Sequence, residues 1–375
     1  TDIQPSTKKV TTFSIEPYNG GMKFRNGDSL VARITPCLEN GKTAYVDILD
    51  DGEVGFGSTE YIVVREKPEV SDKHFLYYFS ISSEFRDVAI LSMTGSSGRQ
   101  RVQTEVVTNH KFLLPSLPEQ KAISSVLSSL DDKIDLLHRQ NKTLESMAQV
   151  LFRQWFVEKV DQGFKNEKFE KWLTGTLGGE WGKETPEGDF KKAVYCIRGT
   201  DIAALNTGIP FKMPLRFVKE NKFENINPSE GDLVIEISGG TENQSTGRIC
   251  YVNDDIKKLF DYPLIFSNFC RLIMVKKPEY SYFLYCYIQY LYSQDEFFNL
   301  ENGSSGIKNL DYKTLLFELD YPMPHEQIVI KFHQKVMPFF KKINQNKFQI
   351  RTLEKLRDTL LPKLMSGEAR VKYEH

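Results

Sequence analysis

The chain has 375 residues, of which 40% are hydrophobic and 26% charged, and its formal net charge is −1. That composition is typical of globular proteins, and no apolar run is long enough to cross a membrane. The charge balance excludes a broad basic coat for nucleic acid but permits a sequence reader with local basic contacts. The five cysteines lack Cys-x-x-Cys spacing, which argues against disulfides or a metal site and predicts a reducing, cytoplasmic location.

Residues 1–118 are predicted to form a first globular domain of mixed strand and helix. Strand-like runs occupy residues 30–34 and 61–65, and apolar residues recur along one face of a predicted helix over 75–91. Only 26 residues precede Gly27-Asp28, whereas a later copy of this motif has a longer lead-in. We therefore expect that the opening part of this domain, roughly 30 residues, is missing.

The loop Gly95-Ser-Ser-Gly98 is the strongest candidate for nucleic-acid contact in this domain. Glycines let backbone N–H groups approach a phosphate, and serine hydroxyls are common phosphate donors. Arginine reads guanine edges and glutamine reads adenine edges, although an ordinary flexible turn would show the same residues. The candidate DNA-binding residues here are Arg33, Ser96, Ser97, Arg99, Gln100 and Arg101.

Residues 119–158 have a seven-residue apolar repeat and are predicted to form a first long helix. The seam contains one asparagine, which is either a tolerated polar residue or a buried amide that fixes register. Phe152, Trp155 and Phe156 widen the apolar face, either to pack on the adjacent domain or to dock partner subunits. The seam residues are Ile123, Leu127, Leu130, Ile134, Leu137, Asn141, Leu144, Ala148, Leu151 and Trp155.

Residues 159–324 are predicted to hold a linker, over 158–173, and a second globular domain. Strands are expected at residues 233–237 and 271–275 and a helix at residues 282–291. Because Gly303-Ser-Ser-Gly306 repeats the earlier loop, the candidate DNA contacts here are Ser304, Ser305, Lys308 and Asn309.

Residues 325–367 are predicted to form a second long helix, followed by a tail over 368–375. Pro338 removes a backbone donor and should kink or restart the helix, and Pro362 and Gly367 should mark its end. Leu364 and Met365 are further candidates for partner docking. The seam residues are Val329, Phe332, Val336, Phe339, Ile343, Asn346, Ile350, Leu353, Arg357 and Leu360.

Three segments of the first half recur in the same order about 207 residues later. The Gly-Asp pair at 27–28 returns at 231–232, the Gly-Ser-Ser-Gly loop at 95 returns at 303, and the Pro-to-Glu-Gln segment at 115–120 returns at 322–327. The predicted fold is therefore α/β (α+β), with two similar domains and two long antiparallel helices in a coiled coil. Such an internal repeat suits a bipartite target, of which duplex DNA is the usual example.

Several strings resemble the specificity (S) subunits of type I restriction–modification systems. They are Leu117-Pro-Glu-Gln120, Leu151-Phe-Arg-Gln-Trp-Phe156, the second Gly-Ser-Ser-Gly loop, and Arg-Asp-Thr-Leu-Leu-Pro-Lys-Leu-Met-Ser-Gly-Glu over 357–368. The resemblance covers almost the whole chain. It implies two target-recognition domains on two antiparallel helices, each reading half of a split site in double-stranded DNA.

The resemblance also implies a division of labour between subunits. The chain itself would bind no cofactor and catalyse no reaction. It would recruit two methyltransferase (M) subunits, which use S-adenosylmethionine, and restriction (R) subunits, which use ATP and Mg²⁺.

The residues themselves leave two other functions open. One is a stand-alone regulator with two DNA-reading domains, and the other is a coiled-coil scaffold that binds only proteins. Phosphate-binding loops, dinucleotide fingerprints and His-Glu-x-x-His are absent from the sequence, so a catalytic role has no motif to support it.

Overall fold

The computed structural model of the chain describes Ile3 and residues 8–10, 13–96, 98–158, 163–208, 213–303 and 307–372. The chain divides into two compact units, of which unit 1 is Thr1–Asp135 with Thr352–His375 and unit 2 is Leu136–Arg351. Each unit includes part of both long helices, which the sequence-based division had kept separate from the globular domains.

Unit 1 combines short strands and short helices with the start of a long helix, α4. Its elements are β1 (Met22–Phe24), β2 (Ser29–Ala32), β3 (Thr43–Tyr45), β4 (Gly55–Gly57), β5 (Tyr61–Val64), α1 (Lys73–Ile81), α2 (Ser83–Leu91), α3 (Thr104–Asn109) and α4 (Leu117–Phe156).

Unit 2 contains more strands and most of the second long helix, α9. Its elements are β6 (Lys165–Glu167), β7 (Leu173–Gly178), β8 (Phe190–Ile197), α5 (Gly199–Thr207), β9 (Leu215–Lys219), α6 (Glu220–Ile226), β10 (Leu233–Glu236), β11 (Ser238–Gly239), β12 (Ile249–Tyr251), α7 (Asp254–Lys257), β13 (Leu264–Phe266), β14 (Cys270–Val275), α8 (Ser281–Ser293), β15 (Glu301–Asn302), β16 (Lys308–Leu310), β17 (Tyr321–Met323) and α9 (Glu326–Met365).

The central sheets of the two units have the same topology. In unit 1 the strand order is β3-β2-β5, and in unit 2 it is β12-β10-β14, with β7 added at the edge. All of these pairs are antiparallel, and the central strand is fully buried in both sheets. The sequence repeat is thus a repeat of structure, as the fold prediction required.

Backbone hydrogen bonds identify which residues of the two units are counterparts. In both units, N–H and C=O groups at matching offsets join the central strand to the strands around it, with N···O distances of 2.8–3.1 Å. In unit 1 the N–H groups of Ala32, Arg33 and Val102 donate to the carbonyls of Lys42, Glu60 and Arg33, respectively. In unit 2 the matching N–H groups of Glu236, Ile237 and Leu310 donate to the carbonyls of Arg248, Phe269 and Ile237.

The Gly-Asp motif is a turn that leads into each central strand. Gly27 and Gly231 have φ values of +94° and +89°, a region that L side chains rarely adopt. Each following carboxylate accepts a 2.8 Å hydrogen bond from the backbone N–H three residues before it. Asp28 also pairs with the Arg65 guanidinium, whereas burial raises the pKa of Asp232, which has no ion pair among the residues that the structure describes. The turn is therefore held by the backbone in both copies, and the copy in unit 1 adds an ion pair.

The core of unit 2 packs α8 against both long helices. Phe283 of α8 lies against Phe152 and Phe156 of α4, with ring centroids 6.1 and 4.9 Å away, and Phe332 of α9 lies 5.1 Å from Phe156. These rings are at most 2% exposed. Burying each contributes roughly 1.5–3 kcal/mol, so the long helices belong to the core of this unit.

In unit 1, α1 packs against α4 and the end of α9. Phe75 and Tyr78 share a buried cluster with Leu127 and Leu364. The Tyr78 hydroxyl also donates a 2.6 Å hydrogen bond to Asp131 of α4.

The two long helices pair antiparallel within unit 2. Asn141 of α4 contacts Asn346 of α9, and Trp155, further along α4, makes an edge-to-face contact with Phe332, which precedes Asn346. Every predicted seam residue is buried or half-buried. The prediction of two long helices that pack together is confirmed.

Pro338 does not interrupt α9, contrary to the predicted restart, because the helix is continuous from Glu326 to Met365. The end of the helix is as predicted, with Pro362 in its last turn and Gly367, at a φ of +76°, two residues beyond it. Val336 and Phe340, on either side of Pro338, are at most 1% exposed. Packing of this face stabilises the helix against the lost hydrogen bond.

Two other local predictions were wrong. The helix predicted over 75–91 is two helices, because Ser82 is extended and its hydroxyl donates to the Phe79 carbonyl. The predicted linker over 158–173 contains β6 and a helical turn in which Phe169 and Trp172 are buried. Aromatic side chains in this stretch therefore belong to the core of unit 2.

Candidate nucleic-acid interface

The first Gly-Ser-Ser-Gly loop of unit 1 is closed by a tight backbone turn. The N–H and C=O groups of Thr94 and Arg101 exchange hydrogen bonds of 3.0 and 2.9 Å. A Cβ on Gly95 would lie 3.1 Å from the Arg99 carbonyl oxygen, and its φ is +128°, so this position requires glycine. Ser96 is exposed, and Ser97 lies outside the described residues.

The basic residues after this loop differ in how far they are neutralised. Arg101 makes a bidentate ion pair with Glu60, with a closest N···O distance of 2.7 Å, and this hydrogen bonding lowers the pKa of Glu60. Arg99 is exposed and has no ion pair among the residues that the structure describes. Arg101 would have to exchange its carboxylate partner for a DNA group, while Arg99 is already available.

Arg33 and Gln100 lie beside the loop, and Arg33 immediately follows β2. The Gln100 backbone N–H donates 2.9 Å to the Thr35 hydroxyl, which fixes the loop to the segment after β2. One terminal nitrogen of Arg33 donates a long bond, 3.4 Å, to the Val102 carbonyl, and its Nε has no partner in the described part of the chain. The structure thus brings Arg33, Arg99, Gln100 and Arg101 together at one edge of unit 1, and residues that contact one DNA segment must lie together in this way.

The second loop, in unit 2, has the same backbone requirement at its first glycine. A Cβ on Gly303 would lie 2.6 Å from the Ile307 carbonyl oxygen, four residues on, as at Gly95. Ser304 and Ser305 lie outside the described residues. The strand that follows pairs with Ser238 and Gly239, so Lys308 and Asn309 have defined positions.

Both of these candidate residues already have protein partners. Lys308 forms an ion pair with Glu301 at 2.9 Å. Burial by itself raises the pKa of Glu301, but hydrogen bonds from Lys308 and Thr246 lower it by more, so the pKa of Glu301 is lowered overall. The Ser238 hydroxyl donates 2.6 Å to Asn309 Oδ1. The Asn309 amide oxygen is thus already engaged by the protein, whereas Asn309 itself stays a predicted DNA contact.

The counterparts defined by the backbone show that the two edges differ chemically. Arg33 corresponds to Ile237, Glu60 to Phe269, and Arg99 to Ile307. Direct comparison of the aligned repeats would have revealed the first and last of these from sequence, but choosing only polar and basic residues as candidates missed them.

A second difference lies on the neighbouring strand. In unit 2, Glu236 and Arg248 form a bidentate pair with a closest N···O distance of 2.6 Å, and Glu236 is only 2% exposed. The matching residues of unit 1 are Ala32 and Lys42, and Lys42 has no ion pair within the described residues. Unit 1 therefore presents cations at places where unit 2 is apolar or internally neutralised.

The residues predicted to dock partner subunits do not form an exposed patch. Phe152 and Phe156 are at most 2% exposed in the core of unit 2, and Trp155 is half-buried against it. Leu364 and Met365 are at most 9% exposed in the core of unit 1. The alternative interpretation, packing on the adjacent domain, accounts for these side chains, because α8 and α1 cover them.

Cys196, Cys250, Cys270 and Cys286 are buried, and Cys37 is half-buried. Burial raises the pKa of the Cys196 and Cys270 thiols to about 12, so both are protonated near neutral pH. Among the described residues, no group of three His, Cys, Asp or Glu side chains is placed to hold a metal ion, and none of the helices is long and apolar enough to span a membrane.

Comparison with known proteins identifies a consistent set of relatives. A family model for the type I restriction modification DNA specificity domain matches residues 4–146. The chain is 28% identical to the type I restriction enzyme MjaIX specificity subunit of Methanocaldococcus jannaschii, over 79% of this chain and 69% of that one. It is 24% identical to the HindI specificity subunit of Haemophilus influenzae, over 94% of this chain and 88% of that one.

The fold also matches a solved structure. The S subunit of a type I restriction–modification system from M. genitalium aligns with a TM-score of 0.51 at 18% identity, over 96% of this chain and 90% of that one. At this identity the likeness concerns the fold alone.

Proposed function

We propose that the chain is a specificity subunit of a type I restriction–modification system, like the relatives that it matches, and that it binds a split site in double-stranded DNA and directs a restriction–modification complex to it. Each unit reads one half of the site. The observation that carries this proposal is the repeated edge: two units of one topology present a Gly-Ser-Ser-Gly loop beside the end of the central strand.

The repeated edge suits DNA because it combines fixed backbone with exposed, variable side chains. The loops are pinned to their sheets by hydrogen bonds, so the side chains that follow them have a defined position. Phosphate contacts set the register of a protein on DNA, and side chains at base edges supply specificity. Two edges of one design with different side chains would read two different half-sites.

In this proposal the chain is not catalytic, and the chemistry belongs to its partners. Two methyltransferase subunits supply S-adenosylmethionine-dependent adenine methylation, and restriction subunits supply ATP- and Mg²⁺-dependent cleavage. Protonated, buried thiols and the lack of a phosphate-binding loop in the sequence agree with this division.

The test is to map N6-methyladenine across the genome of cells that carry the system, with and without this gene. The proposal predicts a split motif, methylated on both strands, that disappears when the gene is deleted. A motif that survives deletion would contradict it.

Two companion measurements address the alternative functions. A stand-alone regulator would bind specific DNA tightly without methyltransferase subunits, whereas a specificity subunit should require them. A protein scaffold would select no DNA sequence from a random pool even in the assembled complex.

A further inference from the structure

We infer that unit 2 recognises a thymine in its half-site by apolar contact of Ile307 and Phe269 with the 5-methyl group of the base. This inference rests on the proposed function and names the chemistry by which that same edge of unit 2 chooses its sequence.

The two side chains are exposed although they are large and apolar. Ile307 is 58% exposed and Phe269 is 52% exposed. Exposing such groups to water is unfavourable in the free protein, and exposed apolar groups at a functional edge often mark a contact surface.

The backbone places both residues at the edge that the second loop occupies. The Phe269 carbonyl accepts hydrogen bonds from Ile237 and Ser238, and Ser238 pairs with Asn309 of β16, which Ile307 immediately precedes. Adjacent strands lie about 4.8 Å apart, and Ile307 lies two residues before the Asn309 that pairs with Ser238, so two such steps and this offset place the backbones of Phe269 and Ile307 roughly 12 Å apart. Because both side chains extend several ångströms from their backbones, they can approach one methyl group between them.

The matching edge of unit 1 shows what this place is used for. There the counterparts of Phe269 and Ile307 are Glu60 and Arg99, beside Arg101. Charged side chains of this kind suit phosphates and guanine, whereas the Phe269 and Ile307 side chains cannot make those contacts. The same structural position has therefore changed from charged to apolar recognition.

The cations nearby in unit 2 point in the same direction. Arg248 is held by Glu236 and Lys308 is held by Glu301, with N···O distances of 2.6 and 2.9 Å. Phosphate attraction at this edge is thereby reduced. The thymine methyl group is the apolar feature that the major groove displays, and it is the group that exposed Ile and Phe side chains would recognise.

The experiment uses the full chain purified with its methyltransferase subunits and a duplex containing the mapped site. Each thymine of both halves is replaced in turn by deoxyuridine, which differs only in lacking the methyl group, and affinity is measured at constant salt. We expect at least one replacement to weaken binding by about three- to fivefold, the effect of one buried methyl group.

Protein variants assign the effect to unit 2. Ile307→Ala or Phe269→Ala should abolish the preference for thymine over deoxyuridine at that position. Ile307→Val, which keeps an apolar contact, should retain most of it. Arg99→Ala is the matched control in unit 1: it should lower affinity for both duplexes and leave their ratio unchanged.

Three results would overturn the inference. One is the absence of any methyl-sensitive thymine, and another is a methyl preference that both alanine variants retain. The third is loss of methyltransferase subunits from the variants without any change in the methyl preference, which would make this edge a protein contact. Failure of the wild-type complex to bind any specific sequence is a different result, because it would refute the proposed function itself.

Discussion

A single substitution at the buried asparagine pair of unit 2 should be more damaging than a double one. Asn346 Nδ2 donates to Asn141 Oδ1 and to Gln140 Oε1, both at 2.8 Å. Asn141 is 2% exposed and Asn346 is fully buried. Replacing Asn346 with leucine leaves the Asn141 amide oxygen buried without this donor.

The expected magnitudes follow from the cost of leaving a buried polar group unpaired. Asn346→Leu should lower the free energy of unfolding by about 1–3 kcal/mol. The double variant Asn141→Leu/Asn346→Leu removes both amides and adds apolar contact, so it should recover at least about 1 kcal/mol of that loss. The loss of the long bond from Asn141 to the Thr207 carbonyl, 3.4 Å, is a minor cost by comparison.

The assay is a double-mutant cycle by denaturant unfolding of wild type, the two single variants and the double variant. Gln345→Leu, at an exposed position of the same helix, is the control for adding leucine to α9. Additive effects of the two substitutions would refute the reasoning, and so would an Asn346→Leu loss no larger than that of the control.

The remaining predictions concern charge. Lys347 is buried and donates 2.6 Å to the Leu205 carbonyl, and burial lowers its pKa from 10.5 to about 8. Because the pKa of Lys347 is lower in the folded protein than in the unfolded chain, the unfolded chain binds more protons than the folded protein between these two pKa values. This residue therefore makes the free energy of unfolding rise by about 3 kcal/mol between pH 8 and 10.5. Lys347→Met should lose that rise, and superimposable pH profiles of the two proteins would contradict this. Asp131 and Arg357 of unit 1 form a 2.9 Å pair with side chains 9% and 14% exposed, and Asp131 also accepts a hydrogen bond from Tyr78. Asp131→Ala should cost about 1–3 kcal/mol, because Tyr78 loses this acceptor and Arg357 keeps only its second ion pair, with Asp358; thermal unfolding that matches wild type would exclude a structural role for the pair. Combining Arg33→Ala, Lys42→Ala and Arg99→Ala should reduce the slope of log affinity against log salt by up to about 2.7, or about 0.9 per residue, whereas Lys308→Ala, whose charge is already paired with Glu301, should leave the slope nearly unchanged; a change of about 0.9 for Lys308→Ala would mean that the two edges carry similar charge toward DNA.

The parts of the fold that sequence predicted well depend on local periodicity and on the repeat. The seven-residue pattern located both long helices within two residues at each end, 119–158 against Leu117–Phe156 and 325–367 against Glu326–Met365. A long helix repeats one pattern over many turns, so single exceptions such as Pro338 do not hide it. The repeat likewise placed the central strands, because two copies reinforce a signal that is weak in either.

The parts that sequence missed depend on contacts between distant residues. The partner of Arg101 is Glu60, 41 positions earlier, and nothing local indicates that its charge is neutralised. Phe152 and Phe156 have the same helical spacing whether α8 covers them or not, and only the packed unit shows that it does. Ser82 ends a helix because its hydroxyl and extended backbone compete with the helical pattern, which the apolar periodicity alone did not register.

The most direct test of the central claim is to exchange the globular part of one unit and read the DNA motif. Residues 173–323 would be replaced by the equivalent segment of a type I specificity subunit with a known, different site, and the motif mapped by N6-methyladenine sequencing. One half of the split motif should change to that of the donor while the other half stays as in wild type. A motif in which both halves change, or neither does, would contradict the assignment of one half-site to each unit.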